Sequence, residues 1–363
     1  MTAQRTLVVA GASGIVGRAV LDLARATAGV DAIGLSRRPP DLADGPEHVA
    51  LDLTDADSVR AAAPRLARAT HLVFAALHEQ PGLIRGWREE AQMRTNLAML
   101  STLGETLERH APRLEHVTLL QGTKAYGVHL GRMTVPGRER APRDQHANFY
   151  WLQEDWLRAA ARRTGWRFTI LRPQVVIGHA LGAPMNLLAA IGLYAALQRA
   201  RGEPLDWPGG PAYALECTCA DLLARAILWA GTAETARDRT FNVTNGEAIA
   251  WPHLWPALAQ MLGAEPGQER PQRLAEALPV REAEWSAIVR RHGLRDLSLR
   301  ETAGDSFIYA DFNFATGHTA PPPAALVSTV AIREAGFADC LDSEHMFAAW
   351  FERLRTLRIL PPL

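Results

Sequence analysis

Three evenly spaced glycines near the N-terminus constrain the fold more than any other feature of this sequence. Gly11, Gly14 and Gly17 follow a short apolar run at residues 6–10 and precede a helical pattern over residues 16–26. Glycine permits a tight turn and a close approach of the backbone to a ligand, and the start of a helix attracts negative charge. Because a predicted strand precedes the glycines and a predicted helix follows them, the motif indicates a dinucleotide-binding turn.

Short apolar runs alternate with helical stretches through the first half of the chain. Further strands are predicted at residues 32–35, 48–51, 71–76, 116–120 and 168–176. Parallel strands cannot be joined by hairpins, so the connecting segments must cross over the sheet as helices. The alternation therefore predicts an α/β fold with a doubly wound parallel sheet, the Rossmann fold.

Beyond the sixth predicted strand, apolar helices and turn-rich stretches replace this alternation, and a last strand is predicted at residues 240–243. We expect a Rossmann domain made of residues 1–180 and 214–245. A smaller, mostly helical substrate lobe is expected from residues 181–213 and 246–363. One active site should lie between the two.

Composition narrows the class of partner. In the 363 residues, 39 Lys and Arg balance 39 Asp and Glu, so a small molecule is a better expectation than nucleic acid. The start of the chain does not resemble a signal peptide, and no apolar run reaches the length of about 18 residues that a membrane span needs, so a cytoplasmic protein is expected. Cys217, Cys219 and Cys340 lack zinc-ligand spacing, so no metal is expected. A homodimer is left open.

The end of the predicted second strand bears on the choice of cofactor. Ser36, Arg37 and Arg38 stand where an NAD-binding chain carries an acidic residue. Guanidinium groups suit a 2′-phosphate that a carboxylate would repel, so NADPH is expected, although two solvated surface arginines are the alternative. Asp52 and Leu53 should lie near the adenine. The predicted cofactor contacts are Gly11, Ser13, Gly14, Ile15, Val16, Gly17, Ser36, Arg37, Arg38, Asp52, Leu53, Ala75, Ala76, Gln121 and Val176.

The expected catalytic pair is displaced. Ordinary short-chain dehydrogenases carry a tyrosine and, four residues later on the same helix face, a lysine that lowers the pKa of the phenol. Here Tyr150 is followed at that spacing by Glu154. A lysine, Lys124, instead follows the fifth strand, in the stretch Gln-Gly-Thr-Lys-Ala-Tyr-Gly that begins at Gln121. Lys124 could supply the missing charge.

This displaced pair resembles that of the progesterone 5β-reductase and iridoid synthase family, within the extended short-chain dehydrogenases. Its members carry a lysine after the fifth strand and an Asn-Phe-Tyr-Tyr-x-x-Glu-Asp motif similar to residues 148–155. The similarity extends to Gly-Ala-Ser-Gly-Ile-Val-Gly from Gly11, Ser-Arg-Arg-Pro from Ser36 and Leu-Arg-Pro from Leu171. The resemblance thus covers most of the chain.

The resemblance implies that Tyr150 and Lys124 are catalytic in an NADPH-dependent oxidoreductase. It implies hydride transfer to the β-carbon of an enone or enal, while the tyrosine binds the carbonyl oxygen that becomes an enolate. Trp151 replaces the family's frequent second tyrosine, which leaves the substrate open among steroids, monoterpenoids and small enones. The alternatives are a carbonyl reductase or sugar-nucleotide epimerase of the extended type, and a non-catalytic NADP-sensing regulator.

Overall fold

The computed structural model describes residues 4–43 and 45–363. The strands are β1 (Arg5–Ala10), β2 (Val30–Ser36), β3 (Glu47–Ala50), β4 (His71–Phe74), β5 (His116–Leu120), β6 (Arg167–Pro173), β7 (Val176–Ile177), β8 (Leu205–Trp207), β9 (Leu215–Glu216), β10 (Thr218–Cys219), β11 (Arg239–Val243), β12 (Ala248–Ile249) and β13 (Pro266–Glu269). The helices are α1 (Ile15–Arg25), α2 (Ala56–Ala61), α3 (Ala63–Leu66), α4 (Glu90–His110), α5 (Phe149–Thr164), α6 (Leu187–Ala200), α7 (Ala220–Ala230), α8 (Trp251–Met261), α9 (Leu274–Ala277), α10 (Glu282–His292), α11 (Leu299–Ala303), α12 (Ser306–Asn313), α13 (Val330–Glu334) and α14 (Ser343–Thr356).

One parallel sheet carries the first half of the chain. Its strand order is β11-β6-β5-β4-β1-β2-β3, and every neighbouring pair is parallel. The chain builds outwards from β1 to β3, then returns to β4 on the other side of β1. This is the doubly wound order, and ligands of such sheets bind at the carboxyl ends of the strands where the order reverses, here between β1 and β4. The predicted Rossmann fold is confirmed.

The sheet strands read as nearly continuous apolar runs because helices cover both of their faces. On one face, α1 packs against α7; on the other, α4 packs against α5. The core beneath α4 and α5 contains buried side chains from strands of the sheet and from both helices. Among them are Val8, Ile33, Leu72, Leu103, Val117, Leu157 and Ile170. Burial of each such side chain stabilises the fold by about 1.5–3 kcal/mol before entropic costs.

The chain divides into two compact units. The first comprises the chain up to Gln174, Ala220–Thr244 and Val327–Asp339, and it contains the sheet. The second comprises Val175–Cys219, Asn245–Leu326 and Cys340–Leu363. It is mostly helical, as predicted, with short strand pairs β7–β10, β9–β12 and β8–β13. Within the described ranges, no helix combines the length and apolar character needed to cross a bilayer.

Residues 327–339, which the sequence analysis grouped with the helical lobe, lie in the first unit. The side chain of Asn242, on the edge strand β11, holds them there. Its Nδ2 donates to the carbonyl of Ser328 at 3.0 Å and to that of Gly137 at 3.1 Å. The Ser328 N–H also donates to the Gly137 carbonyl at 2.9 Å. Long-range pairing of this kind leaves no local pattern in the sequence.

Candidate active site

The glycine turn closes tightly against the end of β4. Gly11 has φ +86°, and a Cβ on it would lie 2.8 Å from the Ala75 carbonyl oxygen and the Ala76 nitrogen. A Cβ on Gly17 would lie 2.2 Å from the Gly11 carbonyl oxygen. Any side chain at either position would collide with these backbone atoms, so both positions require glycine. Five of the predicted cofactor residues thus come together here, since Gly14 caps the start of α1 within the same turn.

The start of α1 is suited to bind an anion. Ser13, Ile15 and Val16 are half-buried in the turn and the first helical turn, and residues 15–18 include no acidic residue. Arg18, which was not among the predicted cofactor residues, is buried in this turn. Its Nε donates to the Asp41 carbonyl at 3.0 Å, which ties α1 to the segment after β2. A basic residue four positions after the central glycine was the signal that could have found it.

The end of β2 presents the two predicted arginines to solvent. Ser36 is buried, and its hydroxyl donates to the Arg38 carbonyl at 2.6 Å, which fixes the turn that exposes Arg37 and Arg38. The Thr54 backbone N–H donates to Asp52 and lowers the pKa of this carboxyl group. Burial acts in the opposite direction, and the charge of Arg37 lowers the pKa further.

Leu53, predicted to lie near the adenine, is buried in the hydrophobic core of the sheet. Val176 begins β7 in the second unit, where it pairs with Thr218. Its neighbour Val175 has φ 37°, which is a strained backbone conformation for a β-branched residue. Such strain often accompanies a functional segment.

One side chain joins the backbones of the two predicted catalytic residues. Asn148 caps α5: its Oδ1 accepts the Tyr150 N–H at 3.0 Å, while its Nδ2 donates to the Lys124 carbonyl at 3.2 Å. Lys124 lies in a 3₁₀ helix, Thr123–Tyr126, directly after β5. The Tyr150 hydroxyl comes so close to this segment that a Cβ on Gly122 would lie 3.2 Å from it. Both residues are therefore anchored at the carboxyl end of β5.

Lys124 is the only lysine in the sequence, although the chain has 39 Lys and Arg in total. Its side chain is 14% exposed, and its Nζ lies 3.7 Å from Glu79 Oε1 and 3.6 Å from the centroid of the Trp87 ring. Burial lowers the pKa of Lys124 to about 8, and the charge of Glu79 opposes this effect. Neither Glu79 nor Trp87 was among the residues predicted from the sequence. The uniqueness of the lysine was visible in the sequence and would have strengthened its assignment.

Glu154 occupies the place of the usual lysine and pairs with arginines, of which Arg172 is buried. Arg158 Nη2 lies 2.9 Å from its Oε1, and Arg172 Nη2 lies 3.4 Å from its Oε2. Burial raises the pKa of Glu154, but the Arg158 hydrogen bond and the arginine charges outweigh it and hold the pKa below its usual value. Gln121 is buried in the same network: it accepts from Arg172 Nε at 2.8 Å and donates to the Tyr150 carbonyl at 3.2 Å. Position 154 is therefore structural.

Tyr126, beside Lys124 in sequence, is bound internally. Its hydroxyl donates to Asn242 Oδ1 at 2.7 Å and accepts from Arg172 Nη1 at 3.2 Å. Burial raises the pKa of this phenol. These contacts support a packing role.

A cluster of rings lies next to the lysine. The ring centroids of Trp87 and His129 are 6.3 Å apart, those of His129 and His146 are 5.1 Å apart, and those of His146 and Trp151 are 6.3 Å apart. Burial, with the charges of His146 and Lys124, lowers the pKa of His129 to about 4, so this imidazole is neutral near neutral pH. The cluster forms a half-buried aromatic wall beside the lysine.

Comparison with known proteins identifies the family. Residues 55–361 match the PRISE-like Rossmann-fold domain. The chain belongs to this family. It is similar to the (S)-8-oxocitronellyl enol synthase ISY2 of Nepeta cataria, at 28% identity over 99% of this chain and 92% of that protein. It is equally similar, at 28% identity, to the 3-oxo-Δ(4,5)-steroid 5β-reductase of Arabidopsis thaliana, over 97% of this chain and 92% of that protein.

The fold of this PRISE-like chain also resembles solved sugar-nucleotide epimerases. The UDP-glucose 4-epimerase of Thermus thermophilus, solved in complex with NAD, superposes with a TM-score of 0.66. The match covers 96% of this chain and 99% of that one at 16% identity, so it bears on the fold alone. The predicted family and the assignment to the oxidoreductases are confirmed by these comparisons. The individual site residues stay predictions.

The Asn148 contacts predict that two substitutions have separable effects. Asn148→Ala removes the cap of α5 and should lower the free energy of unfolding by about 0.5–2 kcal/mol. Asn148→Ser keeps a capping oxygen and should lower the free energy of unfolding by at most about a few tenths of a kcal/mol. It loses the amide donor to the Lys124 carbonyl, however, and should slow turnover. Denaturant unfolding measures the first effect, with Asp55→Ala, which removes the cap of α2, as the matched control. Equal stability of the two Asn148 variants would contradict the capping role.

Proposed function

We propose that this protein reduces an activated C=C bond in a small molecule, with NADPH as cofactor and an enone or enal as substrate. The observation that carries this proposal is that Asn148 links the backbones of Lys124 and Tyr150 by hydrogen bonds. The carboxylate of Glu154, at the usual position of the lysine, forms ion pairs with arginines instead. The relatives support it, because a 3-oxo-Δ(4,5)-steroid is itself an enone. The displaced lysine distinguishes this site from that of ordinary short-chain dehydrogenases.

The glycine turn fits the pyrophosphate of a dinucleotide. Gly11 and Gly17 keep the turn closed, because a Cβ on either would collide with protein backbone. The N–H groups at the start of α1 favour the negative charge of the pyrophosphate. Arg37 and Arg38, both exposed, would hold a 2′-phosphate. When bound, the nicotinamide supplies the hydride.

Tyr150 has the chemistry to stabilise the charge that develops during the reaction. Reduction at the β-carbon moves negative charge onto the carbonyl oxygen, and a phenol O–H that donates to this oxygen stabilises the enolate more than the neutral carbonyl. The Tyr150 side chain is only 7% exposed, which strengthens this interaction because little water competes for the oxygen. The charge of Lys124 would add to the stabilisation. The α-carbon of the enolate then takes a proton from water, and the carbonyl is restored.

Cofactor preference is the first test. If Arg37 and Arg38 bind the 2′-phosphate, NADPH should bind at least about tenfold more tightly than NADH, since a charged hydrogen bond contributes about 1.5–3 kcal/mol. The double variant Arg37→Ala/Arg38→Ala should lose this preference and keep its affinity for NADH. Arg109→Ala, which removes an exposed charge on α4, should retain it. Equal affinities of the wild-type protein for both cofactors, in a fluorescence titration, would contradict the proposal.

The position of the transferred hydride is the second test. With deuterium-labelled NADPH and a panel of enones and enals, the product should keep its carbonyl and carry deuterium on the β-carbon. Tyr150→Phe should lower kcat by roughly 10²-fold, as the loss of one oxyanion donor does elsewhere, with unchanged cofactor affinity. Tyr126→Phe, which loses only internal hydrogen bonds, should keep its turnover.

Other outcomes of this test would identify the alternatives. An allylic alcohol labelled at the carbonyl carbon would identify a carbonyl reductase. Conversion of a sugar nucleotide without net consumption of the cofactor would identify an epimerase. NADPH binding with no consumption across enones, ketones and aldehydes, and no conversion of sugar nucleotides, would identify a non-catalytic sensor.

A further inference from the structure

We propose that Glu79 is the counter-ion and positioning residue of Lys124, an inference that rests on the proposed catalytic role of this lysine. Glu79 lies after β4, on a different segment from the lysine, and its side chain is only 5% exposed. A carboxylate buried to this degree is costly unless it is paired and hydrogen-bonded. Its Oε1 lies 3.7 Å from the Lys124 Nζ, so the ion pair meets part of that cost.

The surrounding structure fixes the Glu79 carboxylate. Trp87 Nε1 donates to Oε1 at 3.2 Å, and Gln92 Nε2 donates to Oε2 at 2.8 Å. Gln92 is itself held, because it is 1% exposed and its Oε1 accepts the Gln80 N–H at 3.0 Å. Each carboxylate oxygen therefore has a donor on a defined element. The carboxylate cannot turn away from the lysine without breaking these bonds.

Trp87 contacts both members of the pair. The same indole that donates its N–H to Glu79 presents its ring face to the Lys124 ammonium, 3.6 Å from the ring centroid. A cation over an indole face is attracted to it, whereas a neutral amine gains almost nothing. Both partners of Lys124 thus favour its charged form. Together, Glu79 and Trp87 define the direction in which the ammonium is held.

The backbone before Glu79 is clamped as well. Asn96, fully buried on α4, accepts the His78 N–H at 2.9 Å and donates to the His78 carbonyl at 2.9 Å. Gln153, on α5, donates to the Asn96 carbonyl at 2.9 Å. The segment that presents Glu79 is therefore tied through α4 to the helix that carries Tyr150. These hydrogen bonds connect the segment that carries the partner of Lys124 to the helix that carries Tyr150.

The charges around Lys124 define the effect of removing Glu79. Burial lowers the pKa of Lys124 to about 8, and the charge and hydrogen bond of Glu79 hold it from falling further. Burial raises the pKa of Glu79, opposed by Lys124. The other ionisable groups nearby are His129, which is neutral near pH 7, and, next to it, Arg88, Asp144 and His146. Of these groups, Glu79 is the one that pairs directly with the ammonium.

Loss of the Glu79 charge should therefore make Lys124 lose its proton at lower pH. An opposite charge at this distance shifts a pKa by about 1–3 units, so Glu79→Gln should lower the pKa of Lys124 by about that amount. Glu79→Asp keeps the charge but moves it away, and it should give an intermediate value. Glu105→Gln, on the exposed face of α4, should leave the pKa unchanged. The alkaline limb of the pH profile of kcat should move to lower pH in the same order.

The pKa can be measured without any assay of activity. Because Lys124 is the only lysine, the full chain grown with ¹³Cε-labelled lysine gives one side-chain signal, whose shift follows protonation as the pH is raised. An unchanged pKa in Glu79→Gln, or an equal fall in Glu105→Gln, would overturn the inference. If Glu79→Gln does not fold, an unchanged pKa in Glu79→Asp would overturn it. If the pKa falls as expected but no variant or wild-type protein reduces an enone, the proposed function fails and the pairing stands.

Discussion

Parallel pairing of β1, β4 and β5 fixes the candidate site, because a parallel sheet brings the carboxyl ends of its strands to one edge. The glycine turn follows β1, the residues that close against it follow β4, and the lysine follows β5. A change in strand order or register would separate these groups. The chemistry of the first unit therefore depends on the register of three strands whose side chains are themselves buried and apolar.

The second constraint is the burial of one positive charge. The chain uses arginine at all its other basic positions and keeps a lysine at position 124. Arginine stays charged in almost any environment, whereas the pKa of a buried lysine moves readily with its surroundings. Glu79 and Trp87 favour the charged form, and burial opposes it. Such a balance places the titration of Lys124 close to physiological pH, where a small change in its neighbours alters its charge.

The fold could be predicted from the sequence, and so could part of the site. The glycines with a strand before and a helix after them led to the Rossmann fold, which is confirmed, because that pattern is local. Asn148 could also have been predicted as the cap of α5, since asparagine is favoured directly before a helix. Glu79 could not, because its contact with Lys124 joins segments that only the sheet brings together. The return of residues 327–339 to the first unit depends on Asn242 for the same reason.

The central claim is that Tyr150, with Lys124 charged beside it, binds the carbonyl oxygen of an activated alkene. The most direct test is a crystal structure with NADP⁺ and an unreacted enone. The account predicts that the carbonyl oxygen lies within hydrogen-bonding distance of the Tyr150 hydroxyl, at about 2.5–3.0 Å. It also predicts that the β-carbon, not the carbonyl carbon, faces the nicotinamide. A carbonyl oxygen bound by other groups, with Tyr150 directed away from the substrate, would contradict it.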